Sequence, residues 1–349
     1  MALVVSASRT NSSADALVEQ LRPLAVVTGA SGFIGRHLCS ALQGSGYSVR
    51  ALLRENKNGD PGPGEICADE VSCCALDAEP LSSQFEGASA VFHLAGVAHT
   101  GFRNERELKR VNVEGSKAVA SACCSARVPR LIHFSSILAA DPGQSAYAAS
   151  KFASEMAVTD QHNGKLSVVI LRPANVYGMG MQGNWLSLMR MIARGRVPPL
   201  PNLRNLLSLI SVQDLCLVAI EFARWNGVEK GESHTSIITD GQLYTPNQIE
   251  SAIYEALGKN KPTWHSPRMV FFAAAALAEF AAQLGLTKNG FGFSSYRNLV
   301  RNSLASDEAQ QLANNWQEQL GFKRSTTFID MIPELIAQFD KNAQSTQAT

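Results

Sequence analysis

The sequence is short of charge. Asp, Glu, Lys and Arg make up 17% of its 349 residues, and 31 basic against 30 acidic side chains leave a formal net charge of +1. Such a balance spreads no field of one sign over the surface, which argues against nucleic acid as a partner. The seven cysteines (Cys39, Cys67, Cys73, Cys74, Cys123, Cys124 and Cys216) form no Cys-x-x-Cys pair, and the two adjacent pairs lack zinc-ligand spacing. No metal site is expected. The odd number of cysteines, and the lack of a basic stretch followed by an apolar run in residues 1–22, point to reduced thiols in the cytoplasm. They read as small buried apolar side chains rather than as redox centres. The most apolar window, 269–286, is interrupted by Glu279 and Gln283 and rich in alanine, so a soluble helix is expected there and no membrane span. There is no internal repeat and no low-complexity tract.

Apolar residues make up 45% of the chain, enough for a sizeable core. Short apolar runs at 24–28, 47–53, 73–76, 90–94, 131–134 and 167–171 alternate with helical patterns at 32–43, 104–125 and 145–162. This alternation predicts right-handed crossovers and an α/β fold with a Rossmann-type, doubly wound parallel sheet. A Gly-, Pro- and Asn-rich loop spans 56–65. Beyond Tyr177 the pattern loosens: helices are expected at 183–194, 213–225, 246–257, 268–284 and 304–315, and a strand at 236–239 returns to the main sheet. The division predicted is an extension at 1–22, a dinucleotide-binding domain at 23–176 with return segments about 209–240, and a smaller, mostly helical substrate lobe at 177–208 and 241–340.

The run Thr28-Gly29-Ala30-Ser31-Gly32-Phe33-Ile34-Gly35 sits at the first strand-to-helix junction. Glycine is needed where the chain turns tightly, where backbone approaches a pyrophosphate and where helix meets sheet. The helix N-terminus then offers free N–H groups to the phosphates. The second strand ends Val49-Arg50-Ala51-Leu52-Leu53-Arg54, with no acid to accept from a ribose 2′-hydroxyl. Arg54, and Arg36 directly after the last glycine, favour NADP(H); as plain surface arginines they leave NAD(H) open. Asp77 follows the third run and either contacts adenine or caps a helix. His93-Leu94-Ala95-Gly96 closes the fourth strand with small residues that let backbone approach the cofactor ribose, and His93, with no ligand spacing, reads as structural.

Tyr147 and Lys151 stand at i and i+4 of an expected helix and so share a face. A cation there is expected to lower the tyrosine pKa, fitting the phenol for general acid–base work. The fifth strand ends in Ser135-Ser136, at the edge where open α/β sheets bind ligands. Either hydroxyl is placed to meet a reacting oxygen, or both are loop polarity.

Taken together, Thr28-Gly29 to Gly35, Asp77, His93 to Gly96, Val111-Asn112-x-x-Gly115, Ser135-Ser136, Tyr147-x-x-x-Lys151 and Arg172-Pro173-x-Asn175-Val176-Tyr177-Gly178 resemble the extended short-chain dehydrogenase/reductases, the NAD-dependent epimerase/dehydratase family. The resemblance runs from about residue 23 to 328 with the motifs in the family's order. It selects Ser136 over Ser135 as the catalytic serine. It also implies cofactor contacts from Ser31, Phe33, Ile34, Asn112 and Pro173. A narrower similarity, in the segments at 183–195 and 208–215, is to bacterial surface-polysaccharide enzymes labelled UDP-glucose 4-epimerase-like, including reductases of UDP-4-keto-6-deoxyhexosamines. It implies substrate binding by Asn175, Asn184 and the 205–214 segment. Two features depart from it. Asn205-Leu206-Leu207-Ser208 replaces the usual Asn-x-Arg-Ser, leaving Arg204 as the candidate cation, and the stretch between Ser136 and Tyr147 is shorter than in most extended members.

The implied reaction is hydride transfer at C4 of a UDP-sugar, with Tyr147 exchanging the O4 proton, Lys151 supporting it and binding the ribose, and Ser136 polarising the C4 oxygen. The lean to NADP(H) favours a 4-ketoreductase over a UDP-hexose 4-epimerase. A non-catalytic dinucleotide sensor on the same fold is the reading from another class. A nucleotide sugar is the expected partner, and a homodimer is compatible.

Overall fold

The computed structural model of the protein describes residues 22–54, 66–76, 80–97, 105–161, 164–181, 184–195, 198–270, 272–273, 276–277, 316–317 and 319–347. The extension expected at 1–22 up to residue 21, the 56–65 loop, Asp77 and the helix expected at 304–315 lie outside them. The strands are β1 (Leu24–Thr28), β2 (Ser48–Leu53), β3 (Glu70–Cys73), β4 (Ala88–His93), β5 (Arg130–Phe134), β6 (Ser167–Pro173), β7 (Asn175–Tyr177), β8 (Leu207–Ser211), β9 (Ser233–Ile238) and β10 (Leu243–Tyr244). The main helices are α1 (Phe33–Gly44), α2 (Glu105–Leu108, a π-helical turn at Lys109–Glu114, then Gly115–Ser125), α3 (Ala146–Asp160), α4 (Asn184–Ala193), α5 (Val212–Arg224), α6 (Pro246–Ala256) and α7 (Phe328–Gln347).

Seven strands pair in parallel in the order β3-β2-β1-β4-β5-β6-β9. Leu38 and Leu42 of α1 and Leu215, Val218 and Phe222 of α5 cover one face, packed on Val27, Val49, Phe92 and Ile132. Val119 and Cys123 of α2 and Val158 of α3 cover the other, on Val26, Val91, Leu131 and Val168. Each such Leu, Val or Phe side chain removed from water stabilises the fold by about 1.5–3 kcal/mol. Burial on both faces explains why the inner strands read as unbroken apolar runs. The chain order reverses between β1 and β4, and the crevice at that switch point is where doubly wound sheets take their ligands.

A second sheet, β10-β8-β7, packs with α4, α6 and α7 around Met189, Ile192, Ile253, Phe328, Ile332 and Leu335. The smaller part of the molecule therefore carries a sheet as well as the expected helices. The return strand expected at 236–239 is β9, paired with β6. The third strand lies at Glu70–Cys73 rather than 73–76. It is an edge strand with Glu70, Val71 and Cys73 exposed, so an apolar run does not mark it. The cysteines also differ from expectation: Cys39, Cys123 and Cys216 are buried, but Cys67 and Cys73 are exposed and Cys74 and Cys124 lie between.

Candidate active site

Ser145 caps α3, its hydroxyl accepting from the Ala148 amide at 3.1 Å. This sets the helix phase so that Tyr147 occupies the first turn, with Lys151 and Glu155 following on the same face. The face is turned to the end of β5, where Lys151 Nζ donates to the Phe134 carbonyl at 2.7 Å. The two serines that follow diverge. Ser136 hydrogen-bonds the Tyr147 hydroxyl. Ser135 donates instead to the Glu155 carboxylate, which also takes Arg172 Nε at 2.9 Å and Nη2 at 2.6 Å. Ser136, Tyr147 and Lys151 thus come together as the sequence implies.

The electrostatics differ from the sequence expectation. Burial pushes Tyr147 up to about 12, and the hydrogen bond with Ser136 opposes this only in part. Lys151 directs its ammonium to the Phe134 carbonyl, and the phenol keeps its proton. Burial brings Lys151 itself down to about 8, against an upward pull from Glu155.

Under this site lies a buried polar floor. Ser116 gives its proton to the Asn112 carbonyl at 2.6 Å, so it accepts from His93 Nε2 at 2.9 Å. His93 Nδ1 then accepts from the Thr28 hydroxyl at 2.7 Å. His93 stacks on His133, ring centroids 5.4 Å apart, and His133 meets Ser154 at 3.0 Å. Burial first, and then the charge of Lys151, holds His93 down to about 3 and His133 well below the ordinary imidazole range. His93 is structural, as read.

Asn112 lies in the π-helical turn. Its Oδ1 accepts from the Val97 amide at 2.8 Å, and its Nδ2 donates to Val97 O at 3.1 Å and Ser150 Oγ at 2.9 Å. A methyl group on Gly96 would stand 3.1 Å from Asn112 Oδ1 and 3.8 Å from Lys151 Nζ, so Gly96 brings the β4 loop against α3. Gly29 has φ 72°, and a Cβ there would meet the Ala95 amide at 2.6 Å. α1 starts at Gly32 with no side-chain cap and no acid in its first turn, which leaves its amides free for an anion. Gly35 is buried where α1 meets the loop, Ser31 is exposed, and Phe33 and Ile34 are half-buried beside them. Arg36 Nε donates to Ser31 O at 2.9 Å, while its Nη1 is buried with no hydrogen-bond partner among the described residues. Arg54 is exposed just past β2, Leu94 and Ala95 are half-buried, and Pro173 is buried at the end of β6. Glycine cradle, bare helix start and unpaired guanidinium nitrogen fit a nicotinamide dinucleotide lying across the switch point.

Residues 25–233 match the model of the NAD-dependent epimerase/dehydratase family. The chain belongs to that family. Among curated proteins it is 30% identical over 279 residues to ceramide reductase of Caulobacter vibrioides, covering 80% of this chain and 84% of that one. It is 28% identical over 274 residues to UDP-glucose 4-epimerase of Vibrio cholerae, covering 69% and 77%. Among solved structures it superposes with a TM-score of 0.68 and 22% identity on MoeE5 in complex with UDP-glucose and NAD, over 91% of this chain and 99% of that one.

For this member of the NAD-dependent epimerase/dehydratase family, the substrate-side expectations fare unevenly. Asn175 is exposed at the start of β7, and Arg204 is exposed ahead of β8. Asn184 opens α4, its side chain lying outside the described residues. Most of the 205–214 segment is interior rather than lining: Leu207 to Ser211 are all buried, and Asp214 accepts from the Ser325 hydroxyl at 2.7 Å. Leu207, which stands where the resemblance leads one to expect arginine, is core of the second sheet. Glu155, and the clamp that Ser135 and Arg172 close on it, escaped notice in the sequence, although Ser135 and Arg172 stand in the motifs quoted above. The available signal was spacing, with Glu155 one helical turn beyond Lys151.

Proposed function

We propose that the protein is an NADP(H)-favouring ketoreductase acting at C4 of a UDP-linked 4-ketosugar, in the synthesis of a surface-polysaccharide sugar. The observation that carries the reading is the Tyr147 hydroxyl, kept protonated by burial and hydrogen-bonded to Ser136 at the end of β5. A protonated phenol hydrogen-bonded to a serine hydroxyl is the donor pair that reduction of a carbonyl requires, and the lean of Arg36 and Arg54 to NADP(H) is what favours reduction over epimerisation. Bound nicotinamide supplies the hydride. Tyr147 gives its proton to the carbonyl oxygen as the alcohol forms, Ser136 hydrogen-bonds that oxygen, and Lys151 supports the phenolate left behind. Gly29, Ser31, Gly32, Phe33, Ile34 and Gly35 cradle the pyrophosphate, and Arg36 and Arg54 meet a 2′-phosphate. Asp77 is assigned to the adenine by the resemblance. Leu94, Ala95, Gly96, Asn112, Lys151 and Pro173 surround the nicotinamide riboside, and Asn175, Asn184 and Arg204 meet the substrate.

A second reading, reduction of a ceramide-type lipid ketone, is supported by the 30% identity to ceramide reductase and by the apolar, buried Leu207 in place of an arginine for the diphosphate. One experiment separates them. The purified protein is incubated with NADPH or NADH and either UDP-4-ketohexoses or ketone forms of ceramide, and absorbance at the nicotinamide band is followed. Stoichiometric loss with the UDP-ketosugar supports the first reading, and loss with the lipid alone replaces it with the second. Interconversion of UDP-hexoses without net loss makes the protein an epimerase. We also infer a homodimer through the outer faces of α2 and α3. Phe152 and Met156 stand exposed there beside Val113 and Lys117, along a groove of about 420 Å³. Sedimentation of the wild type against Met156→Glu tests it, and a wild-type monomer at micromolar concentration would refute it.

A further inference from the structure

We propose that Glu155 is a positioning residue for this site: clamped by Arg172 and Ser135 one helical turn from Lys151, it keeps that lysine charged beside the end of β5. Glu155 is 4% exposed, in the interior of α3. A carboxylate is costly to bury, and a buried ion pair is often replaceable by apolar side chains without loss of stability, so packing alone does not call for one here. Arg172 holds it in a two-point grip, Nε and Nη2 each on one oxygen, and Ser135 adds a third donor. Ser135 is itself fixed, its amide donating to Leu171 O at 2.7 Å. The clamp therefore joins β5, β6 and α3 around one negative charge.

That charge stands one helical turn from Lys151, on the same face. The groups around the ammonium are few. Tyr147 is neutral on α3, His93 on β4 and His133 on β5 are buried and neutral, and Arg172 on β6 has its charge matched within the pair. Among them Glu155 supplies the negative charge. Lys151 is 7% exposed, and burial already brings it to about 8 with Glu155 in place. Removing the carboxylate takes away the one negative charge of this set and leaves Arg172 unmatched, so that only the Phe134 carbonyl still favours the ammonium, and a neutral amine supports a phenolate at Tyr147 less well.

The assignment rests on the proton-transfer roles proposed for Tyr147 and Lys151, but its test needs neither substrate nor cofactor. The full chain is labelled with 13Cε-lysine, the Lys151 signal is assigned with Lys151→Met, and its titration is followed by NMR. In Glu155→Gln the midpoint falls by about 1–3 pH units. In Glu155→Asp, which keeps the charge and the ion pair but withdraws it by one methylene, it falls by less. Under a purely structural role the folded fraction drops and the midpoint stays. An unchanged midpoint in folded Glu155→Gln overturns the proposal. Should that variant not fold, an unchanged midpoint in Glu155→Asp overturns it. Failure here leaves the ketoreductase reading standing, and absence of any NAD(P)H oxidation leaves the Lys151 titration to be judged by itself.

Discussion

Beneath Tyr147 and Lys151 the large sheet buries a connected polar floor, whereas the small sheet packs an apolar cluster around Phe328 beside which the buried carboxylates Asp214, Asp240 and Glu250 each have partners of their own. Asn112, Ser116, His93, His133, Ser154 and Glu155 are all at most 4% exposed, and nearly every polar atom they bury is bonded to a neighbour. Around Phe328, by contrast, the packing is Tyr177, Ile253, Ile332 and Leu335, with Tyr177 edge-on to Phe328 at 4.8 Å. A paired polar floor is preorganised: its dipoles and charges are in place before any ligand arrives, and losing one partner strands another. An apolar core tolerates exchange of similar volumes.

The largest effect is expected at Tyr147, the proposed acid–base residue. Tyr147→Phe keeps the ring and removes the proton, so turnover falls by roughly 10²–10⁴ while NADPH titration is unchanged; near-normal turnover would move the chemistry elsewhere. On the apolar side, Phe328→Ala opens a cavity in the second core and destabilises by about 3–5 kcal/mol in urea unfolding. If that loss came with no change in NADPH affinity, the two regions would be separable as the packing suggests. At the cofactor's outer end, NADPH binds at least about tenfold more tightly than NADH, and Arg54→Ala narrows the gap, a charge-assisted phosphate contact being worth about 1.5–3 kcal/mol. Equal dissociation constants would remove the NADP(H) preference.

The smallest effect is on acid stability and sharpens the contrast in kind. The folded state holds His93 at about 3 and His133 well below its ordinary value, so the unfolded chain binds protons that the native one refuses. The stabilisation is complete above an imidazole's ordinary range near 6.5 and is lost progressively as pH falls from there toward 3. The melting temperature therefore drops between about pH 7 and about pH 5, and His93→Asn flattens the drop. A flat wild-type profile would mean the floor is open to water.

Much of this was legible along the chain. The glycines at 29, 32 and 35 and the Tyr147–Lys151 spacing stand within single turns of backbone, where sequence distance is spatial distance. β3 was misplaced because an exposed edge strand carries no apolar run. α7 went unread beyond the expected helices because Pro333 lies inside it and reads as a breaker. β7, β8 and β10 are short strands whose partners lie far along the chain, and nothing local announces such pairing.

By itself the sequence determined the parallel α/β order, the glycine cradle and the helix face bearing Tyr147 and Lys151. Each follows from local periodicity or from backbone conformations that only certain residues adopt. Tertiary structure alone decided that Ser135 turns to Glu155, that Leu207 is core, that burial rather than a neighbouring cation governs the Tyr147 proton, and that Arg172 reaches Glu155 from β6. Those outcomes depend on desolvation and on contacts between strands and helices far apart in the chain, and neither is written in the order of neighbouring residues.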